Sequence, residues 1–319
     1  MLGFLVSVLV LTSIIRGHAT SPTAAKRLVI DTDLFSDVDD AGALLLAATS
    51  PSVDLLAVQS LAASAILAHY GRTVPIGIRR PLTNATFFDS WFFELSEYTS
   101  KVAYHWSGGS LSWGHAEDAW DPVALYRKVL SEVPDHSVTI ASIGFFDNLS
   151  GLLNSSSDIY SPLSGPDLIA AKVSELVIMG GEYPLDYEYN FWGSIMLTNV
   201  SYGNASLATH VVNSWKGSPI TFLGFEIGEN VTSGLRLINK GPHGDPVRAA
   251  YIYHGYNTAR LSFDPLTVLY AMEGLSDLFE IMSSKTDQTQ DKAGAEVDKR
   301  LLQAAWYSHR ERAFAPQEL

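Results

Sequence analysis

The sequence predicts an α/β fold: a single domain whose mostly parallel, Rossmann-like central sheet is flanked by helices. Short apolar runs alternate with helical patterns along the chain, which is typical of βαβ units and a parallel sheet. The 319 residues are 47% hydrophobic and 17% charged, which is the composition of a globular chain with a substantial core. We find no internal repeat or clear linker, so we expect this domain to cover residues 27–282.

The order of the elements follows from the hydropathy pattern. Strands are predicted over the apolar runs at residues 27–31, 53–58, 74–78, 138–143, 174–179 and 220–225. Helices are predicted from Asp39, over 61–69 and from Asp121. Acidic residues suit the start of the first helix, and Pro122 suits the first turn of the third. Residues 83–120, rich in aromatics, Gly and Ser, are predicted to form a loop.

Charge and cysteine content exclude several classes of function. Lys and Arg number 21 against 34 Asp and Glu, which gives a net charge of −13. A nucleic acid polymer is therefore excluded as a partner, because binding phosphate backbones needs clustered basic residues. The absence of Cys excludes disulfides, thiolate metal sites and a cysteine nucleophile. An enzyme or binder that uses oxygen and nitrogen ligands remains.

The N-terminus has the features of a targeting segment. Residues 2–15 are nearly all apolar and precede Arg16 and several small residues, which suits a signal peptide and is short for a transmembrane helix. We predict a signal peptide at 1–19, an extracellular protein and no stable membrane association after signal cleavage. N-glycosylation sequons support a secretory route. They begin at Asn84, Asn148, Asn154, Asn199, Asn204 and Asn230.

A cluster of carboxylates lies where the first apolar strand ends and a helix begins. Its members are Asp31, Asp33, Asp37, Asp39 and Asp40. Such acids repel one another unless positive charge holds them together. Ca²⁺ prefers about six to eight oxygen ligands, including carboxylates and backbone carbonyls, so the cluster predicts a calcium site. The alternative is a solvated acidic loop that caps the helix.

This cluster also carries a resemblance to a known family. The pattern Asp31-Thr-Asp33…Asp39-Asp40-Ala resembles the N-terminal signature of the calcium-dependent nucleoside hydrolases of the inosine-uridine preferring type. Further segments resemble the family's motifs in the same order, from about Leu28 to Tyr270. They are Gly144-Phe-Phe-Asp-Asn148, Ile178-Met179-Gly180-Gly181, Glu188-Tyr-Asn190-Phe191 and Asp264-Pro-Leu.

The resemblance implies a reaction and a set of site residues. Family members cleave the N-glycosidic bond of ribonucleosides to give ribose and a free base. Matched positions imply that Ca²⁺ is bound by the carboxylates of Asp33, Asp40 and Asp264 and by the backbone carbonyl of Ile143. Asp33 is also implied as the general base. The ribose is implied to contact Asp39, Met179, Glu188, Asn190 and Asp264. The implied partner is a small nucleoside, and a homo-oligomer stays open because relatives are often dimers or tetramers.

The chain departs from the family in ways that bear on activity. Phe263 precedes Asp264, whereas many purine-cleaving members have at this position a His that protonates the leaving base. His254 is our candidate for that role. The alternatives are Tyr253, His105 and His115. The loop after Val58 lacks the Asn that family members carry there, and Gln59 is a weak substitute. Residues 194–203 resemble an insertion relative to the family. One hypothesis for both differences is an error in the gene model.

Two other functions therefore stay open. One is a secreted, catalytically impaired metal- or ligand-binding protein, and a distant third is a phosphatase of the haloacid dehalogenase type. Residues 283–319 are predicted to be a polar, partly helical C-terminal segment, with its helix at about 296–307.

Overall fold

The computed structural model describes residues 24–34, 37–60, 62–79, 98–112, 114–183, 188–192, 205–276, 278–282 and 302–306. Five strands form the centre of a sheet in this part of the chain: β1 (Lys26–Thr32), β2 (Val53–Val58), β3 (Val138–Ile143), β4 (Val173–Met179) and β5 (Ile220–Leu223). Every residue of β3 is buried, as expected for a parallel strand covered on both faces. The α/β fold predicted from the sequence is confirmed.

The strand order places a topological switch point beside β1. The larger sheet runs β2-β1-β3-β4-β5, and these neighbours pair in parallel. The chain leaves β1 to one side for β2 and then crosses to the other side for β3, so the carboxyl ends of β1 and β3 flank a crevice of the kind that binds ligands in open α/β sheets.

The remaining described strands extend this sheet or form a small ribbon. β6 (Thr232–Ser233) and β7 (Arg260–Leu261) pair antiparallel as a separate two-stranded sheet. β8 (Phe279–Met282) pairs antiparallel with β9 (Leu302–Trp306), and β9 adds in parallel to β5.

Helices cover both faces of the sheet. One face carries α1 (Asp39–Thr49), α2 (Ala63–His69), α3 (Tyr98–His105), α11 (Pro246–Gly255) and α12 (Phe263–Glu273). The other carries α4 (Pro122–Ser131), α5 (Asp147–Leu153), α6 (Gly165–Lys172) and α8 (Ala205–Ser214). Short helices α7 (Tyr189–Trp192), α9 (Phe225–Gly228) and α10 (Leu235–Lys240) lie between them in the chain. Among the described residues, no helix combines the length and hydropathy needed to cross a membrane.

Local sequence explains where several helices begin. The Asp121 side chain accepts a hydrogen bond from the backbone N–H of Ala124, and Pro122 occupies the first turn of α4. Asp245 does the same for α11, with Pro246 after it. A capping side chain followed by Pro is a strong start signal, because Pro has no N–H to leave unpaired.

Three local predictions were wrong. Residues 74–78 do not form a full strand: they make only isolated bridges, from Ile76 to Val58 and from Gly77 to Trp120, and Pro75 has no N–H to add to a ladder. The predicted loop at 83–120 contains α3, whose Tyr98 and Val102 share one buried face. Residues 302–306 form strand β9 instead of part of a helix, because pairing with β5 and β8 overrides a weak local preference.

Other predictions fall outside the described residues. They include the signal peptide at 1–19, the sequons at Asn84, Asn199 and Asn204, the inserted segment at 194–203 and most of the C-terminal segment at 283–319.

Candidate active site

Three buried carboxylates meet at the carboxyl end of the sheet. Asp39 and Asp40 begin α1, and Asp264 lies in the first turn of α12, which packs along α1. One carboxylate oxygen from each of the three lies within 4.8 Å of the other two. Because each residue has a carboxylate oxygen close enough to the others to coordinate one ion, this cluster could hold a metal ion.

The end of β1 positions Asp40. The Thr32 hydroxyl donates to Asp40 Oδ1, and the backbone N–H of Leu34 lies 3.3 Å from the same oxygen. The turn is tight, because a Cβ on Gly144 would lie 2.6 Å from the backbone nitrogen of Asp33. Ile143, which precedes that glycine, is the parallel partner of Thr32, so β1 and β3 end side by side.

Asp39 bridges the two helices of the cluster. Its Oδ2 accepts hydrogen bonds of 2.9 Å and 3.1 Å from the backbone N–H groups of Phe263 and Asp264. These donors belong to the first turn of α12, where the helix leaves N–H groups unpaired and its dipole is positive. The N-terminus of α12 therefore offsets part of the negative charge that Asp39 brings into the site.

The carboxyl groups hold protons strongly in this environment. Burial, and then the charges of Asp33 and Asp39, raise the pKa of Asp40 well above its usual range. Burial followed by the charges of Asp39 and Asp40 has the same effect on the pKa of Asp264. Desolvation of half-buried Asp33 raises its pKa to about 7. A divalent cation bound among these groups would replace their protons as the source of positive charge.

Glu188, Asn190 and Met179 form a second group of buried residues, and the charge of Glu188 acts on Asp33. Glu188 accepts hydrogen bonds from the backbone N–H groups of Gly181, Asn190 and Phe191. The Asn190 amide donates to the Met179 carbonyl at 3.1 Å. Burial raises the pKa of Glu188 to about 7 in spite of these bonds. Glu188 thus ties the start of α7, which carries Asn190, to Gly181 after the end of β4.

Two acids of the predicted cluster are hydrogen-bonded to other side chains and do not join Asp39, Asp40 and Asp264. Asp31 is buried on the other side of β1, where Tyr126 and Asn148 donate to its two oxygens. Asp37 binds Arg260, whose Nε lies 2.6 Å from Asp37 Oδ1. Burial would raise the pKa of Asp37, but the hydrogen bonds and charge of Arg260 outweigh it and the pKa is lowered.

The groups considered for protonating the leaving base have different surroundings. His254 is buried on α11, and its ring meets the Tyr98 ring edge-on at a centroid distance of 6.4 Å. Phe263 stacks on Phe225 with centroids 4.9 Å apart. His115 is exposed beside Asp118, with Nδ1 and Oδ2 3.3 Å apart.

The remaining alternatives for these roles lie elsewhere. The Tyr253 ring lies under Lys101, and His105 ends α3. Gln59 directs its amide to the carbonyl of Pro122 at 3.4 Å, on the α4 side of the sheet.

Sequence reasoning missed three residues that shape the site. Thr32 lies inside the Asp-Thr-Asp motif, so its contact with Asp40 could have been anticipated. Tyr98 belongs to a segment predicted to be a loop; its hydroxyl donates to the backbone carbonyl of Asp37 at 2.7 Å. Arg260 lies 223 residues from Asp37, and the only signal was that an extra acid in the cluster needs a cation.

The donor set fits calcium. The converging groups are carboxylates, which are hard oxygen ligands, and the chain contains no Cys to provide soft ones. Ile143 ends β3 beside Thr32 at the end of β1, so its backbone carbonyl is a further candidate ligand of the same type.

Solved structures with a similar fold include nucleoside hydrolases. The plant nucleoside hydrolase PpNRh1 matches with a TM-score of 0.56 at 17% identity, over 92% of this chain and 90% of that one. The inosine-uridine preferring nucleoside hydrolase from Bacillus anthracis matches with a TM-score of 0.60 at 14% identity, over 88% and 94%. The type III effector protein XopQ, complexed with adenosine diphosphate ribose, matches with a TM-score of 0.57 at 16% identity, over 90% and 88%.

These similarities define the fold of the chain. No family model and no curated protein matches the sequence. The chain has a nucleoside hydrolase-like fold, and its carboxylate cluster lies at the switch point of that fold.

Proposed function

We propose that this chain, with its nucleoside hydrolase-like fold, is a calcium-dependent N-ribosyl hydrolase that cleaves ribonucleosides to ribose and free base. The observation that carries the proposal is the convergence of Asp39, Asp40 and Asp264, buried and within 4.8 Å of one another, at the carboxyl ends of the strands. Buried carboxylates at such short range stay ionised only beside a cation, and in that form they would stabilise a reacting sugar that develops positive charge.

The metal site has four proposed ligands. The carboxylates of Asp33, Asp40 and Asp264 and the backbone carbonyl of Ile143 hold Ca²⁺. The chemistry that calcium supplies is a positive charge beside the attacking water, which lowers the pKa of that water.

Asp33 is the proposed general base. It accepts one proton from the water whose oxygen bonds to C1′ of the ribose, while the C1′–N bond breaks and its electron pair leaves with the base.

The proposed ribose site lies between the carboxylate cluster and the group formed by Met179, Glu188 and Asn190. Asp39, Asp264, Glu188 and Asn190 bind the hydroxyl groups, and Met179 packs against the sugar. Fixing the ring in this way favours the flattened geometry of an oxocarbenium-like transition state, and the surrounding carboxylates stabilise its charge.

The step with the least support from the described residues is protonation of the leaving base. His254 is the proposed acid, since Phe263 has no proton to give and stacks on Phe225. Loss of acid catalysis typically slows such a step by roughly 10²- to 10⁴-fold. The Phe225–Phe263 stack therefore favours the second candidate function, a metal- and ligand-binding protein with impaired catalysis.

We also propose that the protein is secreted and N-glycosylated. Of the described sequons, Asn154 and Asn230 are exposed, whereas the Asn148 amide donates to Asp31 at 2.8 Å. Glycosylation is therefore expected at Asn154 and Asn230 and not at Asn148.

The test is the release of ribose from inosine and from uridine. We expect release by the full chain with calcium and loss of release with EDTA or in Asp33→Asn. Calcium binding without release would favour the impaired protein, and release that persists in Asp33→Asn would contradict the proposed mechanism.

A further inference from the structure

The strongest side-chain contact at the edge of the site joins two residues that the proposed reaction does not use. Arg260 in β7 donates through Nε to Asp37 Oδ1 at 2.6 Å and through Nη2 to Asp37 Oδ2. A guanidinium that binds both oxygens of one carboxylate fixes orientation as well as distance. The pair therefore constrains where each chain segment lies.

The two segments are those that supply the carboxylate cluster. Asp37 lies two residues before Asp39 at the start of α1, and Arg260 lies four residues before Asp264 in α12. The Asp37 residue is held further by a 2.7 Å hydrogen bond from the Tyr98 hydroxyl to its carbonyl. Together with the hydrogen bonds from α12 to Asp39, the Asp37–Arg260 pair ties the two halves of the cluster to each other.

Charge alone does not explain why Arg260 is there. Its positive charge acts on Asp39 and Asp264 as well as on Asp37. A positive group so close to a cation site opposes binding of the cation. If the pair acted only through charge, removing Arg260 would strengthen calcium binding and removing the Asp37 charge would weaken it.

We propose that Arg260 is a positioning residue that clamps Asp37 and so holds the start of α1, and with it the proposed ligand Asp40, beside Asp264 before a cation binds. The inference rests on the proposed function only through its cation site. It predicts that breaking the pair from either side weakens calcium binding, whatever the change in net charge.

The test is calorimetric titration of calcium into the EDTA-stripped full chain and into Arg260→Gln and Asp37→Asn. Residues that orient metal ligands typically change metal affinity by about 10- to 100-fold, so we expect both variants to bind at least about tenfold more weakly. The double variant Asp37→Arg, Arg260→Asp keeps the net charge and restores an ion pair between the two positions. We expect it to recover part of the lost calcium affinity.

The matched control is another ion pair at the opposite end of the sheet. Lys172 and Asp135, 2.7 Å apart, precede β4 and β3 at their amino ends. Lys172→Gln and Asp135→Asn make the same charge changes far from the site and should leave calcium affinity unchanged.

The outcomes separate the inference from the proposed function. Affinity that rises in Arg260→Gln and falls in Asp37→Asn would overturn the positioning role and leave the calcium site standing. Unchanged affinity with a lower free energy of unfolding in EDTA would also overturn it, since the pair would then only stabilise the fold. A parent chain that binds no calcium would overturn the proposed function, and the inference with it.

Discussion

Asp39 accepts a 3.1 Å hydrogen bond from the backbone N–H of Asp264, a residue 225 positions later in the chain. Asp39 opens α1 and Asp264 lies in the first turn of α12, so this bond fixes the two helices at the point where their carboxylates meet. The same side chain thus caps a helix and lies within the candidate metal site.

Two substitutions of Asp39 separate these roles. Asn can still accept the bonds from α12, so Asp39→Asn should unfold in EDTA at a free energy no lower than that of the parent. Asp39→Ala leaves those N–H groups unpaired and should lose about 1–2 kcal/mol. Urea unfolding in EDTA measures both. Equal losses in the two variants would contradict the capping role.

The metal-free protein should lose stability as the pH rises toward neutral. Burial raises the pKa of Asp31 and of Glu188 to about 7, whereas both groups titrate near pH 4 when unfolded. Between these values the folded state binds more protons than the unfolded state, so stability is greatest at the acidic end and falls as the pH approaches 7.

Urea unfolding in EDTA at pH 5, 6, 7 and 8 measures this slope. We expect a loss on the order of 2 kcal/mol for each group across the range. Asp31→Asn removes one titrating group and should give a shallower slope. Stability that increases with pH in EDTA would contradict the raised pKa values.

Restoring an acid at position 263 should speed cleavage of purine nucleosides. Phe263 cannot donate a proton and adjoins Asp264, so Phe263→His would place an imidazole beside the sugar site. We expect a rate increase of about tenfold to 100-fold near pH 6.5, where the imidazole is partly protonated. Phe263→Leu is the control for loss of the stack on Phe225 and should give no increase. An equal response in both variants would exclude acid catalysis at this position.

Local sequence patterns predicted much of the fold and the carboxylates that follow β1. The five central strands are short, mostly apolar and largely buried runs, so their composition predicts them directly. The acids after β1 are conspicuous because they follow such a run. Asp264 was identified through a family resemblance, since nothing local to it indicates that α12 packs along α1.

Long-range contacts account for what the sequence did not predict. The side chains of Arg260 and Asp37 meet only after the whole sheet is assembled, and no spacing rule joins residues 223 positions apart. Strand β9 depends on pairing with β5 and β8, and the segment at 74–78 pairs only through isolated bridges to Val58 and Trp120. In each case tertiary contacts override local preference.

The most direct test of the calcium site is the thermal unfolding midpoint of the full chain in EDTA and in excess calcium. A ligand at about 100 times its Kd stabilises the folded state by roughly 2.7 kcal/mol, which raises the midpoint by about 5–10 °C for a domain of this size. We predict such a rise in the parent and its loss in Asp40→Ala. An unchanged midpoint in the parent, or an equal rise in Asp40→Ala, would contradict a calcium site built from these carboxylates.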